Sequence, residues 1–194
     1  MGDTTQKPIV VLEDEPAHAE AVRRSLVAAG RPVTVVYTLQ EYRELLVHVE
    51  PALLITDLNL PDGNALSLLS AEPSCPTLVM TSYGDEEIAV QAMKLGAFDY
   101  IVKSDLAFRE MPRTVDRALR EWESLQQAQR AEVALRQSEQ RFSTVFHASP
   151  VPILIAHLEA GSILDANESC CELLDFPLAE LCGKPLDTVL ERSL

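Results

Sequence analysis

Residues 53–63 read LLITDLNLPDG. Leu53, Leu54, Ile55 and Thr56 form a short apolar run suited to a buried strand, yet the run ends in a carboxylate, Asp57, before a turn at Pro61–Asp62–Gly63. A core strand that closes on a charge requires an explanation. Four other runs share its character: PIVVLEDE (8–15), VTVVY (33–37), TLVMT (77–81) and DYIVK (99–103). They are nearly continuous rather than alternating, as parallel strands covered on both faces are. Helical patterns lie between them. Ala17–Ala29 places Val22, Leu26 and Ala29 on one face with Gly30 as a stop, Leu39–Val49 ends before Pro51, and a segment capped by Asp85 runs to Lys94 with Gly96 beyond. Strand and helix alternate five times over, which predicts an α/β fold with a doubly wound, five-stranded parallel sheet.

In such a sheet, sites form beyond the carboxyl ends of the strands, where strand order reverses. Those ends carry Glu13–Asp14, Asp57, Thr81 and Lys103. Three carboxylates in one crevice repel, at roughly 4 kcal/mol for a pair about 4 Å apart at an effective dielectric of about 20. The cluster therefore calls for a cation, and hard oxygen ligands favour Mg²⁺. Lys103 supplies a second positive charge and Thr81 a hydroxyl donor. Together these groups suit a phosphoryl group on an oxygen of Asp57, with Asp57 as nucleophile and the metal, Lys103 and Thr81 taking the phosphoryl oxygens.

Composition narrows the function class. The 194 residues carry a formal net charge of −14, which argues against nucleic acid as a partner, since phosphate neutralisation needs clustered Lys and Arg. No apolar run is long enough for a transmembrane helix. The four cysteines, Cys75, Cys170, Cys171 and Cys182, match no zinc spacing and read as reduced thiols of a cytoplasmic protein. The histidines are scattered and suggest neither a metal site nor a triad. From Pro112 to Phe146 there is no Gly and no further Pro, and helix formers dominate. Apolar or small residues recur in steps of three and four at Val115, Ala118, Trp122 and Leu125, then at Ala128, Ala131, Leu135, Ser138, Phe142 and Val145, with a phase slip near Gln126–Gln127. This predicts a coiled-coil seam and a parallel homodimer through the 115–145 helix, on the argument that nothing else in the chain covers Trp122, Leu135 and Phe142. A solvated linker helix in a monomer is the alternative. Beyond Ser149, VPILIAHL and SILDAN read as two strands of a hairpin, and ESCCELLDF as a helix.

The motifs VLEDE, ITDLNLPDG, VMTSYGDEE and GAFDYIVK, in that order, resemble the receiver domain of bacterial response regulators. The resemblance implies the flavodoxin-like arrangement of the sheet. It also implies that Asp57 takes phosphate from a phosphohistidine on a partner histidine kinase or phosphotransfer protein. Glu13, Asp14, Asp57 and the Asn59 backbone carbonyl would then bind Mg²⁺, Thr81 and Lys103 would contact the phosphoryl group, and Tyr100 would be an aromatic switch residue. Two positions depart from the pattern: Glu13 stands where Asp is frequent, and Ser104 follows Lys103 where Pro is usual. SEQRFSTVFHASPVPILIAHL, GSILDANESCCELLDF and LAELCGKPL are similar to the opening of a PAS domain, a partial α+β segment. The implied organisation is a receiver over 1–122, a coiled-coil helix over 123–146 and a partial PAS domain over 147–194. The alternative is the N-terminal part of a hybrid sensor histidine kinase or cyclase.

Overall fold

The structure, a computed structural model, describes residues 7–69, 73–82 and 86–190. Asp85, expected to cap a helix, lies outside the described residues. The chain divides into two compact units, Met1–Gln127 and Ala128–Leu194.

The first unit is built on five parallel strands, β1 (Ile9–Leu12), β2 (Val33–Val36), β3 (Leu53–Asp57), β4 (Thr77–Thr81) and β5 (Asp99–Val102). Their order is β2-β1-β3-β4-β5. The chain steps outward from β1 to β2 and then returns past β1 to β3, so strand order reverses between β1 and β3. Ile9 pairs with Leu53 and Leu12 with Thr56, which brings the residues following β1 level with Asp57 at the end of β3. Continuous apolar runs follow from coverage on both faces. Ile9, Val11, Leu53, Ile55, Leu78 and Met80 pack beneath Val22 and Leu26 of α1 (Pro16–Ala28) and beneath Phe108, Met111 and Val115 of α4 (Asp105–Ala148). Val10, Leu12 and Leu54 face the other way, onto Leu39 and Tyr42 of α2 (Leu39–Leu46). Val79 packs with Ala92 of α3 (Glu86–Lys94).

Three helical expectations need correction. The stretch between β3 and β4 holds one 3-10 turn, Ala65–Leu68, and no α-helix among the described residues, so the third of the five strand–helix repeats is abbreviated. Pro73 and Pro76 follow that turn, and neither has an N–H to donate to a helix. On α1 the buried stripe is Ala19, Val22 and Leu26; Ala29 is the exposed C-cap. The long helix begins at Asp105, not at Pro112, which lies inside it. Ser104 opens it: its Oγ accepts the Ala107 N–H at 3.1 Å and its carbonyl accepts the Phe108 N–H.

The early part of α4 also corrects the seam. Val115 and Ala118 are buried in the core of the first unit, and Trp122 packs edge-on against Phe98, ring centroids 6.0 Å apart. These three residues therefore have a cover within their own chain. From Leu125 onward, Leu125, Leu135, Phe142 and Val145 are exposed.

In the second unit, β6 (Leu154–Ala156) and β7 (Ile163–Ala166) form the expected antiparallel hairpin. With α5 (Glu168–Leu174), α6 (Leu178–Leu181) and α7 (Leu186–Leu190) they enclose a small core of Ile163, Ala166, Cys170, Leu181 and Val189. Its central polar group is Asn167, wholly buried. Asn167 Oδ1 accepts from Ile153 and Cys170 N–H groups, and Nδ2 donates to the carbonyls of Phe146, Ser149 and Val151. Among the described residues, no helix is long and apolar enough to cross a membrane.

Candidate functional site

Glu13 and Asp14 follow β1 directly, Asp57 closes β3, Thr81 closes β4 and Lys103 follows β5. The topology brings four of them into direct association. Single carboxylate oxygens of Glu13, Asp14 and Asp57 lie within 4.8 Å of one another. Lys103 Nζ lies 2.7 Å from Asp57 Oδ2, and 3.1 and 2.8 Å from the two oxygens of Glu13. The other Asp57 oxygen, Oδ1, accepts the Leu58 N–H at 2.7 Å, and the Thr56 hydroxyl donates to the Asp57 carbonyl at 2.7 Å. The Asp57 carboxylate is thus fixed at both oxygens.

Neighbouring residues Glu13 and Asp14 divide the work. Glu13 is wholly buried, whereas Asp14 is exposed. Burial pushes the Glu13 carboxyl above its ordinary range, against the opposing pull of its hydrogen bond to Lys103 and that residue's charge. Burial also works against the charge on Lys103, but hydrogen bonds to Asp57 and Glu13, with their charges, outweigh it and hold the ammonium above its ordinary range.

The remaining predicted residues lie on the same strands or the loops that follow them. Thr81 is buried at the end of β4, and its carbonyl accepts the Lys103 N–H at 2.9 Å. Asn59 is exposed in the loop after Asp57. Tyr100 is 44% exposed on β5. Sequence reasoning set His18 aside, yet its Nδ1 lies 3.0 Å from Glu15 and 3.9 Å from Glu13, and its ring lies 5.3 Å from that of Phe108. Its place in the first turn of α1, directly after the acidic run, was the available signal. Asp62, a turn residue by its sequence, reaches with its carboxylate across to α2.

The donor set can be tested against a cation. With all three acids ionised, Lys103 leaves two negative charges uncompensated. Hard oxygen donors carrying that excess fit a divalent ion such as Mg²⁺.

Comparison with known proteins agrees with this geometry. Residues 9–115 match the family model of the response regulator receiver domain, and residues 140–193 match that of a PAS domain. The chain is 32% identical over 127 residues to the methanogenesis regulatory protein FilR1 of Methanothrix harundinacea, covering 60% of this chain and 28% of FilR1. It therefore spans less than a third of that relative's length. Full-length FixJ from B. japonicum aligns with a TM-score of 0.52 at 31% identity, over 68% of this chain and 69% of FixJ. The BeF3-activated receiver domain of nitrogen regulatory protein C (NtrC) aligns with a TM-score of 0.50 at 28% identity, over 60% of this chain and 98% of that domain.

Proposed function

The chain belongs to the response regulator receiver family through residues 9–115, and on that premise we propose that it is a two-component phosphoacceptor switch in which Asp57 receives the phosphoryl group. The observation that carries the reading is the meeting of Asp57, Glu13 and Lys103 at the reversal of strand order, with Asp14 beside them. An oxygen of Asp57 attacks the phosphorus of a phosphohistidine on a partner kinase or phosphotransfer protein. A P–O bond forms, the P–N bond breaks, and the electron pair leaves with the imidazole, which takes up a proton. Asp14, Asp57 and the Asn59 carbonyl, with Glu13 behind them, would hold Mg²⁺, which supplies positive charge against the incoming phosphoryl oxygens. Lys103 turns from the Asp57 oxygen to a phosphoryl oxygen while keeping Glu13 as its counter-ion. The Thr81 hydroxyl donates to another phosphoryl oxygen. Tyr100, on the strand beside β4, senses the resulting shift of Thr81.

The state of the site then passes along α4. We assign receiver, connecting helix and partial PAS domain to 1–122, 123–146 and 147–194, with two chains pairing as a coiled coil beyond Leu125. Support comes from the exposed apolar residues Leu125, Leu135, Phe142 and Val145 on that helix and from the PAS match. A cytoplasmic setting belongs to the same reading, and the four free thiols accord with it. The PAS match also favours a second reading, in which this receiver heads a hybrid sensor histidine kinase or cyclase; the gene sequence following Leu194 distinguishes the two.

The test of the switch is exposure to acetyl phosphate and Mg²⁺ followed by intact mass measurement. The wild-type chain gains one phosphoryl group, and Asp57→Ala gains none. A phosphoryl gain by Asp57→Ala at the wild-type rate overturns the assignment.

A further inference from the structure

Asp62 lies five positions beyond Asp57, but its carboxylate serves another element. One oxygen accepts the Leu39 N–H and the other the Gln40 N–H, both at 2.9 Å. These are the first two donors of α2, which have no partner within the helix. The local sequence already caps that helix. Thr38 Oγ1 accepts the Glu41 N–H at 3.1 Å, a side-chain N-cap, and the Glu41 carboxylate accepts the N–H of Tyr37, the residue before the cap, at 2.7 Å. Asp62 is therefore an additional tie, supplied from more than twenty residues away. The Leu39 N–H, aided by that of Gln40, holds its carboxyl below the ordinary range.

The same two segments approach closely at Gly63. Gly63 has φ +149°, and a Cβ at this position would meet Leu39 Cδ1 at 3.0 Å. The loop is otherwise closed on itself. Asn59 pairs with Asn64 and Leu60 with Gly63 in a two-residue ladder, and the Ala65 N–H returns to the Leu58 carbonyl at 2.9 Å. A ladder this short is marginal in water without support. Asp62 anchors its tip to α2, the missing Cβ of Gly63 leaves room for Leu39 there, and the loop's other end is Asp57 itself.

Resting on the reading of the site given above, we propose that Asp62 is a positioning residue for Asp57 phosphorylation: by clamping the 58–64 loop to α2, it fixes the backbone of Asn59, the residue whose carbonyl that reading gives to Mg²⁺. Mg²⁺ demands near-ideal octahedral geometry, so a loosened carbonyl weakens binding of the ion even when the carboxylates are untouched.

The test uses the full chain as wild type, Asp62→Ala and Asp62→Asn. Mg²⁺ binding is measured by calorimetry, and the rate of acetyl phosphate labelling by mass as Mg²⁺ is raised. In Asp62→Ala the Mg²⁺ dissociation constant rises about ten-fold, the lower end of what losing an outer-shell support costs. Its labelling rate at saturating Mg²⁺ stays within about two-fold of wild type, because the reacting groups are unchanged. Asp62→Asn keeps an acceptor oxygen for one N–H and falls between them. A wild-type Mg²⁺ dissociation constant in Asp62→Ala, with only its thermal midpoint lowered, overturns the proposal and leaves Asp62 as a cap of α2. If Asp62→Ala does not fold, Asp62→Asn decides by the same comparison. Failure of the wild type to label at Asp57 overturns the site reading and this proposal together. Labelling at Asp57 whose half-saturating Mg²⁺ concentration is the same in Asp62→Ala as in wild type overturns this proposal alone.

Discussion

Cys75 shows how far a single buried side chain sets the pH response of this chain. It packs with Tyr42, Leu54 and Val10 on the α2 face of the sheet. Burial pushes its thiol up from 9.0 to about 11, and pushes the Tyr42 phenol up as well. The protonated thiol is the form the fold favours, so its contribution is complete below pH 9 and is lost as pH rises through 11. Two pKa units correspond to about 2–3 kcal/mol. Urea unfolding of wild type and Cys75→Ala at pH 8.5 and 11 measures this. The stability advantage of the wild type over the variant shrinks by about that amount between the two pH values. Equal losses in the two proteins would show that the thiol proton is not involved. At the site itself, burial separates two adjacent acids: Glu13 serves Lys103 from inside, and Asp14 faces solvent.

The ends of elements carry much of the specificity. Ser104 stands where a proline is usual in the resembling family, and it opens α4 with a side-chain cap. At the other end of α4, the Phe146 carbonyl would ordinarily accept from residue 150, but Pro150 has no N–H. Asn167 Nδ2 provides the missing donor at 3.1 Å and binds the carbonyls of Ser149 and Val151 as well. Asn167→Asp replaces that donor with oxygen facing three carbonyls. The Ser149 and Val151 carbonyls keep the Ser169 and Ser149 hydroxyls as donors, so the buried Phe146 carbonyl is the group left unpaired and the second unit loses about 1–3 kcal/mol. Hydrogen exchange followed by mass spectrometry is the measurement. Protection falls across residues 151–175, while residues 9–60 and Asp57 labelling keep wild-type behaviour. Unchanged protection in 151–175 would mean that the network is dispensable.

For the whole molecule the open matter is what covers α4 beyond Leu125. Leu135 and Phe142 are 61% and 56% exposed, and Val145 is 70% exposed. Covering a large side chain of this kind contributes roughly 1.5–3 kcal/mol, and two-fold symmetry counts each one twice. On the coiled-coil reading proposed above, light scattering at micromolar concentration gives a dimer for the wild type and a monomer for Leu135→Asp combined with Phe142→Asp, while acetyl phosphate still labels Asp57. A wild-type monomer in the same measurement removes the coiled-coil reading and leaves the phosphoacceptor site standing.

The three central strands were legible in the sequence because a strand covered on both faces must be apolar throughout, and the edge strand β5 reads as an apolar run as well although Tyr100 and Val102 are exposed. A carboxylate or lysine closing such a run therefore stands out, as Asp57 and Lys103 do. The spacing of Val115, Ala118 and Trp122 was legible too, but not its meaning. Periodicity reveals that a helix has an apolar face, whereas only packing reveals what covers it; here the cover is the sheet and Phe98 of the same unit. Likewise, sequence placed Glu13 and Asp14 side by side at one strand end. Only the tertiary structure turned one inward to Lys103 and the other toward water, because that choice depends on the path of the chain leaving β1 and on the lysine arriving from β5. The same holds for Asp62, whose partners are close in space and remote in sequence.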